Sequence, residues 1–313
     1  MCMILAPGER YAFIERQDHY APVRISATQY TFRPRRAHMI GNVFDQPAIA
    51  EWLPVGVPAL IMLIAAAGLA GWVDAVVGGG GLIQLPALVI GLPKDIATPF
   101  VLGTNKISSF AGTLSASWVY LRKITVHAFV LIPLIAGAYG GSTGGAAVSR
   151  YLPREVLTPI VLVAVIAVGI YTFRRPTLGL NHEPKHERGF GAAWRAGVIG
   201  LVIGFYDGIL GPGTGSFFVI TIVAILGYGF LQASAHAKLA NLTTNLAALV
   251  VYGVHGEILL ALGLMMAAAN VTGGVLGAKM AVKNGNAFVR KVFLVVLAIL
   301  VAKLAWDVIA GFV

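Results

Sequence analysis

Long apolar stretches separated by short polar breaks dominate the chain from residue 53 to its end. A run of about 20 apolar residues is long enough to cross the hydrocarbon core of a bilayer as a helix. The pattern therefore predicts an all-α, polytopic membrane protein. The predicted spans lie at about 54–77, 99–121, 126–148, 156–173, 196–210, 235–254, 258–281 and 288–311.

Two further apolar pieces, 82–92 and 215–227, are shorter than the predicted spans. At about 1.5 Å per residue, an eleven-residue helix covers about 16 Å of a core that is roughly 30 Å thick. Each piece follows a glycine-rich stretch, GGGG at 78–81 and GPGTGS at 211–216. We therefore predict two short re-entrant half-helices, each entered through irregular backbone at membrane depth.

The two halves of the chain repeat one pattern. This duplication predicts two homologous transmembrane repeats, 54–173 and 196–313, each with about four transmembrane helices and one half-helix. A polar cytoplasmic linker, 174–195, joins them. Duplicated halves around a central site are a recurrent plan of secondary transporters. The residues aligned at offsets of 132 or 133 include Asp74 with Asp207, Gly78 with Gly211, Gly80 with Gly213, and Lys106 with Lys238.

The positions of lysine and arginine leave the orientation of the repeats open. Basic residues before the first span and in the linker place both segments in the cytoplasm, which makes the repeats parallel. Arg122 and Lys123 then also lie inside, but Lys283 lies outside. If the two short pieces cross fully, each half has five spans and the repeats are inverted.

Residues 1–53 carry six arginines and no apolar run long enough for a signal-peptide core. They are predicted to form a disordered N-terminal arm in the cytoplasm. Met39 lies just before the first span, so a start at this residue, without residues 1–38, is an alternative.

Composition excludes several other classes of protein. Of the 313 residues, 58% are hydrophobic and 12% are charged, whereas soluble domains carry about 25% charged residues. The net charge of +10 is concentrated in the arm and the loops, so nucleic-acid binding is not expected. A single cysteine, Cys2, excludes an intrachain disulfide, and no cluster of ligands predicts a metal or a cofactor. No nucleophile–base pair or nucleotide-phosphate loop predicts an enzyme.

The glycine-rich stretches and the buried lysines predict an anion site. A helix that begins at membrane depth directs free N–H groups and a partial positive charge into the cavity ahead of it. A lysine inside an apolar span is costly unless it faces a cavity, a partner or a substrate. The residues predicted to bind the substrate are Gly80, Gly81, Asn105, Lys106, Gly213, Thr214, Gly215, Ser216, Lys238, Asn241 and Asn245.

Each of these candidates also has a structural alternative. The glycines can serve close helix packing, and each lysine can snorkel or pair with Asp74 or Asp207 as a lock. The two aspartates are candidates for proton coupling, for capping the half-helices, or for neutralising the lysines. His236 lies two residues from Lys238 and is predicted to be structural.

The stretches GWVDAVVGGGGLIQLPAL and GTNKISSFAGTLSASWVYLRK, followed by GFYDGILGPGTGSFF and HAKLANLTTNLAALVVYGVHGEI, resemble the sulfite exporter family of the TauE/SafE type. The resemblance runs from about Val55 to the C-terminus. It implies an inner-membrane permease for sulfite, a sulfonate or a related small sulfur oxyanion. Ala237 stands where the family usually has a more polar residue before the lysine, which leaves the identity of the anion open.

Two other functional classes stay open at this point, a passive anion channel and a membrane partner protein that transports nothing. The expected partners are the lipid bilayer and a small anionic substrate. The sequence does not determine the oligomeric state, and a homo-oligomer is one option.

Overall fold

A computed structural model describes residues 11–16, 19–24, 55–93, 95–149, 189–209 and 211–310. The chain divides into two compact units, Met1–Trp52 and Leu53–Val313. In the first unit, β1 (Tyr11–Arg16) pairs with β2 (His19–Arg24) as an antiparallel hairpin. The sequence predicts a disordered arm here and no strand.

The described part of the second unit is helical, as predicted for the membrane region. Within it, the helix Thr214–Thr221 continues directly into a π-helical segment, Ile222–Leu226. The helices of this part are α1 (Val57–Val77), α2 (Gly81–Gly91), α3 (Thr98–Leu121), α4 (Ala128–Val148), α5 (Phe190–Ile209), α6 (Thr214–Thr221), α7 (Phe230–Val254) and α8 (Leu260–Ala310).

Four helices of the described part are long and apolar enough to cross a membrane. They cover Val57–Val77, Ala128–Val148, Phe190–Ile209 and Leu260–Val296. The helices predicted at 99–121 and 235–254 form as α3 and α7, but they are more polar because they carry buried groups such as Lys106 and Lys238. The span predicted at 156–173 lies outside the described residues.

The last two predicted spans form one helix, α8, which is interrupted at Gly285. This residue has φ 72° and ψ −164°, a backbone conformation open almost only to glycine. We call residues 260–284 α8a and residues 286–310 α8b. The backbone N–H of Leu231, at the start of α7, donates to Asn286 Oδ1 at 2.8 Å, which holds the break beside α7.

The short helix α2 runs back along α1. At its beginning, a Cβ on Gly80 would lie 2.4 Å from the carbonyl oxygen of Ala70. At its end, a Cβ on Gly91 would lie 3.1 Å from the side chain of Leu63. The chain thus returns from the end of α1 toward the level at which α1 begins.

Glycine contacts show that α4 and α5 run parallel, and that α1 and α8a also run parallel. In both pairs the backbones approach so closely that a side chain at the glycine cannot fit, which gives these glycines a role in close helix packing. The approaching residues are Gly141 with Leu201, Gly145 with Phe205, Gly273 with Gly68, and Gly277 with Trp72.

Further contacts fix the remaining directions. α4 and α7 are parallel, and α3 and α8a are parallel, whereas the start of α3 at Gly103 lies against Glu257, just beyond the end of α7. Helices α1, α3 and α8a therefore point one way, and α4, α5 and α7 point the other way. The contacts behind the parallel pairs are Ser142 with Thr244, Ser149 with Tyr252, Ile107 with Gly263, and Ser115 with Gly274.

Helix α6 lies in the middle of the apolar core. Every residue from Thr214 to Ile220 is buried. Phe218 and Val219 join a cluster with Tyr228 and Phe230, which carry the chain into α7. A helix enclosed on all sides fixes the position of the glycine-rich stretch that precedes it.

Candidate functional site

The two glycine-rich stretches meet in the middle of the molecule. Gly78 ends α1 with φ 80°, and a Cβ there would lie 2.2 Å from the carbonyl carbon of Gly215. The backbone N–H of Ser216 donates to the Gly78 carbonyl oxygen at 2.6 Å. Bare backbone from the two halves is therefore in direct contact, which only glycine permits at these positions.

The two hydroxyl groups predicted to bind substrate donate to backbone carbonyls in this conformation. Ser216 Oγ donates to the Val77 carbonyl oxygen at 3.0 Å, and Thr214 Oγ1 donates to the Gly211 carbonyl oxygen at 2.8 Å. The first bond satisfies a carbonyl at the C-terminus of α1, where intrahelical partners run out. The Ser216 side chain thus joins the two loops, whereas the Thr214 bond closes a turn within its own loop.

The first buried lysine lies in an ion pair between α3 and the end of α5. Lys106 Nζ lies 2.7 Å from Asp207 Oδ2 and donates a longer hydrogen bond, 3.4 Å, to the Asp207 carbonyl oxygen. Lys106 is 3% exposed and Asp207 is 1% exposed. Removing either partner alone would leave the other charge buried and uncompensated.

The second buried lysine forms the corresponding pair between α7 and the end of α1. Lys238 Nζ lies 3.0 Å from Asp74 Oδ2 and also donates to the Asp74 carbonyl oxygen. Asn241 Nδ2 donates to Asp74 Oδ1 at 3.5 Å, and Thr113 Oγ1 donates to Asp74 Oδ2 at 3.4 Å. The Asp74 side chain keeps 15% exposure, whereas that of Lys238 has none.

The sequence left open whether each lysine snorkels to the surface or pairs with an aspartate. In the structure, each lysine pairs with an aspartate. Each pair joins the first half of the chain to the second. Both pairs lie beside the crossing of the glycine-rich stretches, since Asp74 and Asp207 each precede one of them by four residues. The site is electrically neutral as long as both carboxylates are ionised.

Two buried amides that the sequence did not single out, Gln84 and Asn270, belong to the network that holds Asn105 in place. Gln84 Nε2 of α2 donates to Asn105 Oδ1 at 2.9 Å. Gln84 Oε1 accepts from Ser108 Oγ at 3.1 Å and from Asn270 Nδ2 at 2.7 Å. The network ties α2 to α3 and α8a, and all four side chains are buried.

A signal for these residues was present in the sequence. Gln84 is the one strongly polar side chain in an eleven-residue apolar helix, a pattern that marks a buried polar contact in a membrane. Asn270 fits only because two glycines make room for it. A Cβ on Gly112 would lie 1.7 Å from Asn270 Oδ1, and one on Gly71 would lie 2.2 Å from the Asn270 carbonyl oxygen.

Other candidate residues lie outside this constellation. Asn245 Nδ2 donates to the Asn241 carbonyl oxygen of its own helix. His236 is buried, and its Nδ1 lies 2.9 Å from the Gln232 carbonyl oxygen while its Nε2 accepts from the His127 N–H at 3.4 Å, contacts that suit a structural histidine. No group of three or more potential metal ligands occurs among the described residues.

Long apolar helices around buried ion pairs and irregular backbone define a multi-pass membrane protein with a polar centre. The family model of the sulfite exporter TauE/SafE matches residues 63–304. The chain belongs to this family of membrane transporters. This confirms the resemblance found in the sequence and the prediction that the protein is not an enzyme.

Curated relatives agree with this assignment. The chain is 33% identical to the probable membrane transporter protein YfcA of Escherichia coli K12, over 76% of this chain and 87% of the relative. It is 33% identical to a probable membrane transporter protein of Haemophilus influenzae, over 82% of this chain and 98% of the relative. It is also 33% identical to the probable membrane transporter protein ORF9 of a Sinorhizobium species, over 79% of this chain and 93% of the relative. No solved structure matches the chain.

Proposed function

We propose that the protein is a secondary transporter for a small anion in the cell inner membrane, with sulfite, a sulfonate or a related sulfur oxyanion as the substrate. The observation that carries this proposal is the two buried lysine–aspartate pairs beside the crossing glycine-rich stretches. The family to which the chain belongs is described as a sulfite exporter family. Sulfite is a sulfur oxyanion, so this description supports the substrate class.

The contacts support two homologous repeats, each containing one half-helix, α2 or α6. The duplication that aligns Lys106 with Lys238 also aligns Asp207 with Asp74, so the two ion pairs are equivalent and exchange partners between halves. Helix packing follows the same rule. The contact of Gly141 with Leu201 corresponds to the contact of Gly273 with Gly68. Gly141 aligns with Gly273 at the offset of 132, and Gly68 aligns with Leu201 at the offset of 133.

The helix directions favour inverted repeats over parallel ones. Helix α1 opens the first half and α5 opens the second, and these two helices point in opposite directions. An inverted pair of repeats is related by an axis in the membrane plane, and its site lies where the halves meet. Rocking of one repeat against the other then opens that site to each side in turn.

The donors of an anion site are supplied by backbone and side chains together. Within the described residues, no hydrogen-bond acceptor occurs for the backbone N–H groups of Gly80, Gly81 and Gly215. These groups lie at the beginnings of α2 and α6, where the partial positive charge of a helix favours an anion. Lys106 and Lys238 add a full positive charge from each half.

Because each lysine is neutralised by an aspartate, the anion has to compete with a carboxylate. Protonation of Asp74 or Asp207 removes that competition and leaves the lysine cation free to hold the anion. One proton and one monovalent anion then enter together, so the charge of the site does not change. This exchange assigns proton coupling to the aspartates and anion binding to the lysines, and it avoids an unpaired charge in the membrane.

Uptake into proteoliposomes tests the proposal. Labelled sulfite and a panel of small sulfonates are offered with and without an inward proton gradient, to the wild type, Lys106→Ala and Lys238→Ala. Lys291→Ala is the matched control, since Lys291 is exposed. We expect saturable, gradient-stimulated uptake that falls at least about a hundredfold in each site variant, as for loss of a group that contributes about 3 kcal/mol to binding.

Three results would overturn the proposal. Unitary currents without saturation would identify a passive anion channel. Flux retained in both lysine variants would leave the lysines with a structural role only. No flux of any anion in the panel, from correctly folded protein, would exclude this substrate class and favour a partner protein that transports nothing.

A further inference from the structure

An open groove lies on the outer surface of the helices, between α3 and α8a. It has a volume of about 960 Å³. Its walls are almost entirely apolar, and large side chains such as Leu114 and Trp118 are exposed along it. The residues that form its apolar walls are Ala111, Leu114, Trp118, Val119, Val271, Val275 and Val282.

One end of this groove is strongly basic. Arg122 and Lys123 follow the last residue of α3, and Lys279 and Lys283 lie one helical turn apart at the end of α8a. All four are exposed. Within the described part of the chain, none of them has a carboxylate within ion-pair distance, and no acidic residue lines the groove.

The four cations gather at one end because α3 and α8a run parallel. Both helices finish at the same level, so the basic residues that end them face each other across the groove. Positive charge near a helix C-terminus interacts favourably with the helix dipole. Four like charges along one end of the groove repel one another, however, and an anionic partner would relieve that repulsion.

Trp118 and Arg122 mark the level at which the apolar walls give way to the basic end. The Arg122 guanidinium lies 4.6 Å from the centre of the Trp118 ring, in a cation–π contact. Tryptophan rings collect at the level of lipid headgroups, where one edge contacts hydrocarbon and the other contacts water. The transition in the groove therefore matches the transition in a bilayer leaflet.

We propose that this groove binds an anionic phospholipid from the surrounding membrane. An acyl chain lies between α3 and α8a against Leu114, Val271 and Val275. The phosphate lies among Arg122, Lys279 and Lys283, as expected for basic pockets between transmembrane helices. The site is separate from the transport site, because Lys106 and Thr113 point from α3 toward the interior while Leu114 and Trp118 face outward.

Lipid retention by the full-length protein tests this inference. The protein is purified in mild detergent, incubated with equal amounts of phosphatidylglycerol and phosphatidylcholine of the same chain length, and examined by native mass spectrometry. The test variant is Lys279→Gln with Lys283→Gln. The control, Arg195→Gln with Lys291→Gln, removes the same charge from exposed positions outside the groove.

We expect the wild type and the control to retain phosphatidylglycerol in preference to phosphatidylcholine, and the test variant to bind about tenfold less phosphatidylglycerol. A second variant, Val275→Trp, fills the apolar wall and leaves every cation in place, so it should also lose the lipid. Its elution as a single symmetric peak verifies folding.

The inference is overturned by any of three outcomes. Retention that is equal in the test variant and the wild type excludes the groove as the site. An equal loss in the control shows that only total charge matters. Displacement of the lipid by millimolar inorganic phosphate, or a protein found bound over the groove, shows that the basic end serves a different ligand.

Discussion

At the scale of single residues, the aspartates carry the most specific consequence of the proposed function. Asp74 and Asp207 each hold a buried lysine through a short contact, 3.0 Å and 2.7 Å respectively. If protonation frees the lysine, then an uncharged amide at the same position imitates the protonated state permanently. A substitution at one aspartate should therefore weaken proton coupling without removing the binding of the anion.

We predict that Asp207→Asn keeps anion exchange but responds more weakly to a proton gradient than the wild type. The amide retains the shape of the carboxyl group and removes the site of protonation. The difference between sulfite uptake with and without an inward gradient should then be smaller than in the wild type, because Asp74 alone remains to link the two fluxes. Asp95→Asn, at an exposed carboxylate, should respond to the gradient like the wild type. Full gradient stimulation in Asp207→Asn would contradict the assignment.

Gly78 gives a second prediction at this scale. Its positive φ and its contact with the Gly215 backbone exclude any side chain. Gly78→Ala should therefore lower stability by roughly 2–4 kcal/mol, from strained backbone together with a clash that cannot relax. Thermal unfolding followed by size-exclusion chromatography measures this loss. Gly140→Ala, where a Cβ meets nothing within 4 Å, is the control, and equal melting of the two variants would show that the loops do not cross as described.

At the scale of elements, one buried polar side chain links α2 to two neighbouring helices. Eleven residues make a marginal helix on their own, and Gln84 supplies the buried hydrogen bonds to α3 and α8a that fix its position. Gln84→Met keeps the volume but leaves Asn105 and Asn270 without a partner.

We predict that Gln84→Met costs about 1–3 kcal/mol for each amide left unsatisfied, and that it speeds hydrogen exchange in α2 more than in α4. Exchange followed by mass spectrometry on peptides covering the two helices measures the difference. Thr272→Val removes an exposed hydroxyl that bonds only within its own helix, so it should change neither. Uniform exchange in both helices of Gln84→Met would show that α2 is anchored by apolar packing instead.

At the scale of the whole molecule, the helix directions predict which loops share a side of the membrane. The connection after α2 and the connection after α7 lie at one end of the bundle. The connection after α3 and the break in α8 lie at the other end. This relation depends only on packing, and it holds whichever face is cytoplasmic.

Cysteine labelling checks this arrangement in a Cys2→Ser background. An impermeant maleimide applied to right-side-out vesicles should give one result for Asp95→Cys and His255→Cys, and the opposite result for Thr125→Cys and Asn284→Cys. All four native residues are exposed, so each cysteine should react after permeabilisation. Labelling of positions 95 and 284 from the same side would exclude the inverted arrangement.

The sequence by itself determined the helical membrane region, because the number of apolar residues needed to cross a bilayer is set by its thickness. Some helices match the predicted bounds within a few residues, for example Thr98–Leu121 for 99–121 and Ala128–Val148 for 126–148. Others begin earlier, since α5 starts at Phe190 instead of 196 and α7 at Phe230 instead of 235. Buried lysines and glycine clusters also stood out, since each is costly in lipid without a specific reason.

Tertiary structure alone decided how these residues combine. The ion pair of Lys106 with Asp207 joins residues 101 positions apart in the sequence. No local sequence pattern indicates which distant residue a lysine contacts. In the parallel arrangement favoured by the basic residues, Arg122 and Lys283 lie on opposite sides of the membrane. In the structure, both residues line one groove. The physical reason is that hydropathy reports the depth of a segment in the membrane, whereas the direction and neighbours of a helix follow from packing between segments.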